Sequence, residues 1–204
     1  LIIILILIIL NEKLLVKNLH FDAYELNIFL GNYSFFFTVL CFLLFLNACN
    51  MFDGINLQLG LYSTQIFIFF IINNIFFSFS LLFLIYILFF FQLNKNNKIF
   101  FGDSGSLLVG FIIAFLIISK YNSDFNKLNC EIIFILMLMP GLDMFRLFLI
   151  RIFNKKNPFK PDRNHIHHLL INKFSFITTT IVVQSMTFFG LFISNYLKLY
   201  LVII

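Results

Sequence analysis

The sequence predicts an all-α bundle of about six to seven membrane-spanning helices, and three observations carry that expectation. Of 204 residues, 61% are hydrophobic and 11% charged, against about 45–50% and about 25% in a soluble domain. Phe alone supplies 33 residues, more apolar surface than a soluble chain of this size could hide from water. The apolar residues also fall in long runs that do not alternate, which excludes a β-barrel. Disorder is excluded because it needs low hydrophobicity and high charge. With Gly 8, Pro 3 and Cys 3, collagen-like and disulfide-stapled folds are excluded as well.

The runs are Leu1–Leu10, Ser34–Leu46, Leu61–Phe77, Phe79–Leu93, Leu107–Ser119, Ile132–Phe153 and Phe176–Ile193. A spanning helix needs about 20 residues to cross about 30 Å of hydrocarbon, so several runs must borrow polar flanks. Leu1–Leu10 has no basic start before it and no small-residue cleavage site after it. It reads as the tail of a helix rather than a signal peptide. The chain is accordingly expected to be one integral-membrane domain, residues 1–204, the C-terminal portion of a longer protein. The polar segment Asn11–Tyr33 alternates weakly around residues 20–33 and predicts a small extramembrane hairpin. Asn73-Asn74 is the expected turn inside the long stretch from Leu61 to Leu93. Cys41, Cys49 and Cys130 follow no spacing motif and read as buried thiols.

Counting crossings puts the loops near Asn50, Lys98 and Arg163 on one side and the segments near Asp22 and Asp124 on the other. The formal charge is +5, and most Lys and Arg fall on the first side, which the positive-inside rule makes cytoplasmic. The basic residues are not interleaved with a soluble fold, so nucleic acid is not an expected partner.

Three polar clusters fall on that side. The first, Asn47-Ala-Cys-Asn-Met-Phe-Asp-Gly-Ile-Asn56, places Asn47, Asn50 and Asp53 near one helical face. Amides and a carboxylate there could bind a polar ligand and a cation, or simply close a helix with an Asp53-Gly54 turn. The second, Lys98-Ile-Phe-Phe-Gly-Asp-Ser-Gly-Ser106, precedes a helix. Its glycines let backbone approach a phosphate, and Asp103 could hold a divalent ion that bridges phosphates. The plainer reading is a helix start capped by Asp or Ser. The third, Asn157-Pro-Phe-Lys-Pro-Asp-Arg-Asn-His-Ile-His-His168, gathers Lys160, Asp162, Arg163, His165, His167 and His168. Phosphate recognition, a solvated basic loop and, less readily, zinc are its readings. Asp143 and Arg146 lie in an apolar helix, where a charge costs roughly 2.5–3.5 kcal/mol. They are either functional or an ion pair one turn apart. Four of nine acidic residues, Asp53, Asp103, Asp143 and Asp162, lie in or beside clusters on the basic side. That mixture suits a magnesium-bound diphosphate, with a lipid co-substrate reached laterally.

Asn47-Ala-x-Asn-x-x-Asp-Gly-Ile, Phe100-x-Gly-Asp-Ser-Gly-Ser, Pro140-x-x-Asp143 and Pro161-Asp-Arg-x-His-Ile-His-His-Leu169 occur in this order. Together they resemble the polyprenyl-phosphate N-acetylhexosamine-1-phosphate transferases, over about Ser34 to Leu170. The resemblance implies that a polyprenyl phosphate attacks the β-phosphorus of a UDP-N-acetylhexosamine, releasing UMP, with Mg2+ (or Mn2+) across the diphosphate. It implies Asp103 as the metal ligand, with Asp103, Asp53, His165, His167 and His168 as catalytic residues. It implies Asn47, Asn50, Phe100, Asp162 and Arg163 as substrate-binding residues, with Asn50 and Asp53 lining the uridine side and Phe100 near the uracil. Expected partners are the polyprenyl (undecaprenyl) phosphate, the UDP-sugar and membrane lipids, with a homodimer as an open assembly. The expected location is the bacterial inner membrane, multi-pass, with the site facing the cytoplasm.

Two departures stand out. Asn56-Leu57 occupies a place where many family members have Asp-Gly. The adjacent acidic pair that the family carries in an earlier loop is absent and is expected upstream of Leu1, so residues 1–204 by themselves are expected to be inactive. The interrupted run His165-Ile-His-His resembles the GlcNAc-type branch more than the muramoyl-pentapeptide branch, which stays the alternative. A lipid-linked sugar transporter or a catalytically dead relative is the alternative of another class. A transporter would place its polar site near the midplane.

Overall fold

The structure, a computed structural model, describes residues 2–95, 98–124, 127–155, 157 and 165–203, with side chains described as far as residue 193. Every apolar run is helical, because inside a bilayer a helix satisfies its own backbone groups. The helices are α1 (Ile2–Leu10), α2 (Ser34–Phe52), α3 (Gln58–Ile72), α4 (Phe77–Lys95), α5 (Gly102–Ser123), α6 (Cys130–Leu136), α7 (Leu138–Phe153), α8 (Ile166–Ile171) and α9 (Phe176–Ile203). Among the described residues four helical stretches are long and apolar enough to span: Gly31–Phe52, Phe77–Lys95, Gly102–Ser123 and Phe176–Ile193. The pair α6 and α7, bent by 73°, makes a fifth if it counts as one span. The expected six to seven exceeds this because α3 has 15 residues, about 22 Å of helix, and α1 has nine.

Between α1 and α2 lies the hairpin, β1 (Asn18–Phe21) antiparallel to β2 (Leu26–Phe29), with Asn18 opposite Phe29 and Phe21 opposite Leu26. Tyr121 near the C-terminal end of α5 fixes it: its hydroxyl donates to Asn18 O at 2.7 Å and accepts from His20 N at 2.8 Å. Asn129, which caps α6 through Ile132 N, also donates to Asp22.

The core lies where α2 crosses α5 and α3 packs on α4. Phe42 stacks on Phe111 with centroids 5.8 Å apart. Gly110 lets the two helices close up, since a Cβ there would meet Cys49 Cβ at 3.1 Å. Phe67 meets Phe83 at 4.9 Å across α3 and α4. Cys49 is fully buried and all three cysteines are unbridged. Asn73 and Asn74 form the α3–α4 turn, with Asn74 at φ 52.

The bend between α6 and α7 has a local cause. Pro140 has no N–H to give the carbonyl four residues back, that of Leu136. Tyr62 of α3 supplies the missing donor, its hydroxyl 3.0 Å from Leu136 O. Outward, α4 exposes Phe79, Leu82, Ile85 and Phe89, and α9 exposes Ile177, Ile181, Phe188 and Phe192. Apolar faces this continuous belong against lipid rather than water.

Candidate functional site

The three polar clusters meet at one end of the bundle. The hairpin and the α5–α6 connection lie at the other.

The first cluster ends α2. Asn47 is exposed and its amide donates back to Leu43 O at 2.8 Å, so it is engaged with its own helix. Asn50 and Asp53 are half-buried. Asn50 Oδ1 accepts a hydrogen bond from Ser106 Oγ, whose oxygen also lies 3.2 Å from Asp103 O. Asp53 is the C-cap residue, its N–H pointing at Cys49 O and Asn50 O. Its carboxyl is pushed up to about 7, first by burial and second by the negative charge of Asp103. Two carboxylates, one at the end of α2 and one in the first turn of α5, thus face one site with like charge, an arrangement that a bound cation relieves.

The second cluster opens α5. The expected Asp or Ser cap is not what forms: the N-cap residue is Phe101, without a side-chain cap, and Asp103 sits in the first turn. Gly102 has φ +59 with no atom within 4 Å of its absent Cβ, so backbone conformation rather than space calls for glycine there. Asp103 projects exposed from this turn. Phe100 is 62% exposed at the rim, while the adjacent Phe101 stacks on Phe90 at 3.9 Å. Asn94, buried at the end of α4, ties the first two clusters together. It accepts from Leu57 N at 2.9 Å and donates to Ile99 O at 2.7 Å. Leu57 itself has φ 70, the left-handed region that favours glycine. The departure from Asp-Gly therefore puts a side chain where the backbone suits none.

The third cluster is organised by Asp143 of α7, which is 3% exposed. One carboxylate oxygen lies 2.9 Å from His165 Nδ1. The other accepts from Ile166 N at 3.1 Å, capping α8, and from Arg146 at 2.9 Å. The ion pair with Arg146 expected one turn away is present, and it is part of a larger assembly. His165 is the residue before α8 rather than within it, its N-cap position, so it and His168 do not share one helical face. The three rings nevertheless cluster, with centroids 4.4 to 6.3 Å apart. His167 is 1% exposed. Its two ring nitrogens are buried with no partner among the described residues. Burial first, and the neighbouring His168 and His165 next, hold it down to about 3, so it is neutral. A Cβ on Gly54 would overlap the His167 ring. The Asp53-Gly54 turn thus seats the third cluster on the first.

Of the residues singled out in sequence, Asp53, Asp103, Asn50, His165, His167 and His168 come together. Phe100 stands at the edge and Asn47 turns to its own helix. Asp162 and Arg163 lie outside the described residues. Sequence reading left Asp143 open between a functional group and an ion pair, and gave no site role to Asn94 or Gly54. For Asp143 the signal was its charge inside an apolar helix; for the other two, it is contact across sequence that a linear reading does not contain.

Among the described residues no three His, Cys, Asp or Glu side chains gather as a self-sufficient metal cage. A magnesium ion takes one or two protein carboxylates, with waters and substrate phosphates completing its shell. Asp53 and Asp103 supply two such carboxylates.

The family model of glycosyl transferase family 4 matches residues 1–121, which include the first two clusters. The undecaprenyl-phosphate alpha-N-acetylglucosaminyl 1-phosphate transferase of Haemophilus influenzae is 34% identical over 74 residues, covering 36% of this chain and 21% of that protein. The protein of that name from Salmonella typhi is 29% identical over 153 residues, 70% of this chain and 42% of the relative. That of Escherichia coli strain K12 is 30% identical over 79 residues, 39% of this chain and 22% of the relative. The matched stretches thus span between 21% and 42% of these relatives' lengths.

Proposed function

The chain belongs to glycosyl transferase family 4, and on that premise we propose that it transfers an N-acetylhexosamine 1-phosphate from a UDP-sugar to a polyprenyl phosphate. The observation that carries this reading is the meeting of Asp53, Asp103 and the histidine cluster at one end of the bundle, through Asn50–Ser106 and Gly54–His167. A site at helix ends on one face suits a lipid phosphate that meets a soluble nucleotide. A transporter would need it near the midplane.

An oxygen of the polyprenyl phosphate attacks the β-phosphorus of the UDP-sugar. The bond from that phosphorus to the bridging oxygen breaks, UMP leaves with the electron pair, and a polyprenyl-diphosphate sugar remains. Asp103, with Asp53 beside it, would hold Mg2+ or Mn2+, which neutralises diphosphate charge when bound. The rest is positioning, which phosphoryl transfer mostly requires. Asn50, fixed by Ser106, presents a polar edge on the uridine side. Phe100, exposed at the rim, offers a ring face for the base. His165, oriented by Asp143, directs its remaining nitrogen Nε2 at phosphate oxygens. His168, with Arg163 and Asp162 just before it in sequence, contributes on the nucleotide side.

The membrane reading follows from the spans: this is a multi-pass protein. In our reading it sits in the bacterial inner membrane with the clustered end in the cytoplasm, the side rich in Lys and Arg. UDP-GlcNAc is the favoured donor, supported by the interrupted histidine run and by the printed names of the relatives. The test offers the full-length protein UDP-GlcNAc and UDP-MurNAc-pentapeptide side by side with undecaprenyl phosphate and magnesium, compared by kcat/KM. Preference for UDP-GlcNAc is expected. Preference for the pentapeptide donor would move the protein to the other branch, and turnover of neither would remove the reading.

A further inference from the structure

We propose that the cavity at the opposite end of the bundle, between the hairpin and the end of α5, is a binding site for a phosphate group. The cavity is about 640 Å³ and is lined by Lys13, Lys17, His20, Asn27 and Asn122 among others, with Glu12 its one carboxylate. That volume falls within the range of small-ligand pockets. Asp103 and Tyr121 are the same helix's two ends, about 27 Å apart along α5, so this cavity is remote from the carboxylates and histidines of the clustered end.

The two lysines are held in place through their backbones. Lys13 O accepts from Asn122 Nδ2 at 2.7 Å, and Lys17 O accepts from Leu30 N at 2.9 Å. Between them Leu14 and Val16 are buried, and Val16 N donates to Thr38 Oγ1 at 2.9 Å. The alternation drives Leu14 and Val16 inward and leaves Lys13 and Lys17 outward at the cavity. Among the described residues neither lysine has a carboxylate within ion-pair distance, whereas Lys120 nearby is paired with Asp124 at 3.0 Å. His20 is held by Asp22 at 2.9 Å and brings ring edge rather than free charge. Two ammonium groups carried on anchored backbone beside amide side chains match a phosphate better than a neutral ligand. The cavity adjoins the end of α5, a candidate span, so a phosphate reaches it from a lipid headgroup or from solution.

The 204-residue chain, purified in an uncharged detergent, is titrated at constant ionic strength with inorganic phosphate. Dioctanoyl phosphatidylglycerol is titrated separately, with dioctanoyl phosphatidylcholine as control. A saturable rise in Tm reads binding. Lys13→Gln and Lys17→Gln should each weaken it about tenfold, and the double variant should abolish it. A response to inorganic phosphate marks a site for the free anion. A response to phosphatidylglycerol alone marks a headgroup site, and either supports the proposal. No saturable response to either probe, or a response unchanged in the double variant, overturns it. Should the double variant melt early, Lys13→Arg with Lys17→Arg keeps both charges and must retain binding; loss of binding there overturns it too.

Discussion

His165 Nδ1 and Asp143 Oδ2 lie 2.9 Å apart, 22 residues from each other in sequence. The contact fixes which ring nitrogen of His165 faces the site. It also explains why a carboxylate is kept inside an apolar helix at an insertion cost of roughly 2.5–3.5 kcal/mol. Asp143→Asn keeps the size and one acceptor but removes the charge. Turnover measured as kcat/KM for the UDP-sugar is expected to fall about 10- to 100-fold, the value of a hydrogen bond to a charged group. Tm should fall as well, because an amide cannot accept from Arg146, His165 and Ile166 N–H together, so kcat/KM is compared per folded protein. Unchanged kcat/KM would show that His165 needs no orientation by Asp143.

Gly54 and His167 make a second testable pair. Gly54→Ala puts a methyl into the His167 ring, and overpacking of this kind costs about 1–3 kcal/mol. In a His167→Ala background the same change should cost little, because the ring is gone. A double-mutant cycle on thermal stability measures the coupling. Equal costs in both backgrounds would mean that the loops do not touch.

Leu57 gives a prediction in the stabilising direction. At φ 70 a side chain is strained by roughly 1–2 kcal/mol, partly offset in glycine by unfolded-state entropy of about 0.5–1 kcal/mol. Leu57→Gly should therefore be about 0.5–1 kcal/mol more stable than Leu57→Ala, which loses the same contacts and keeps the strain. An alanine variant at least as stable as the glycine variant would contradict the backbone assignment.

Much of this molecule was legible in the sequence because its composition and run lengths depend on the bilayer rather than on packing. Each apolar run became helix, the weak alternation before Ser34 became the hairpin, and Asn73-Asn74 became the turn. Motif order located Asp53, Asp103 and the histidines. Features that depend on two distant residues were not legible. Among the described residues the number of full spans falls below the expected six to seven because a run such as Leu61–Phe77 is shared between a short α3 and the turn that follows. Pro140 hinted at a break, but Tyr62 as the donor to Leu136 O required the fold. Nor could spacing tell that His165 stands before α8, since the cap that starts this helix comes from Asp143 of another one.

Acid should loosen the histidine cluster. His167 is held near 3 in the fold against 6.5 when exposed. Between those values the unfolded chain binds a proton that the native chain does not. Stability conferred by the neutral ring is therefore complete above about pH 6.5 and lost as pH falls toward 3, by up to about 1.4 kcal/mol per pH unit. Thermal unfolding followed from pH 7 to pH 4 should fall more steeply in the parent than in His167→Gln. Parallel curves would show that this ring does not resist protonation.

Magnesium-dependent release of UMP from UDP-GlcNAc and undecaprenyl phosphate, compared between the full-length parent protein and its Asp103→Asn variant, bears most directly on the reading of the clustered end. Asp103 is exposed in the first turn of α5 and has no structural hydrogen bond from its carboxylate among the contacts described above, so the variant should fold with an unchanged Tm. Release by the parent should require magnesium, and the variant should lose at least about a hundredfold of it, the scale of removing a group that stabilises transferred charge. Release by Asp103→Asn at the parent's rate and the parent's magnesium requirement would contradict the assignment of this end as the transferase site.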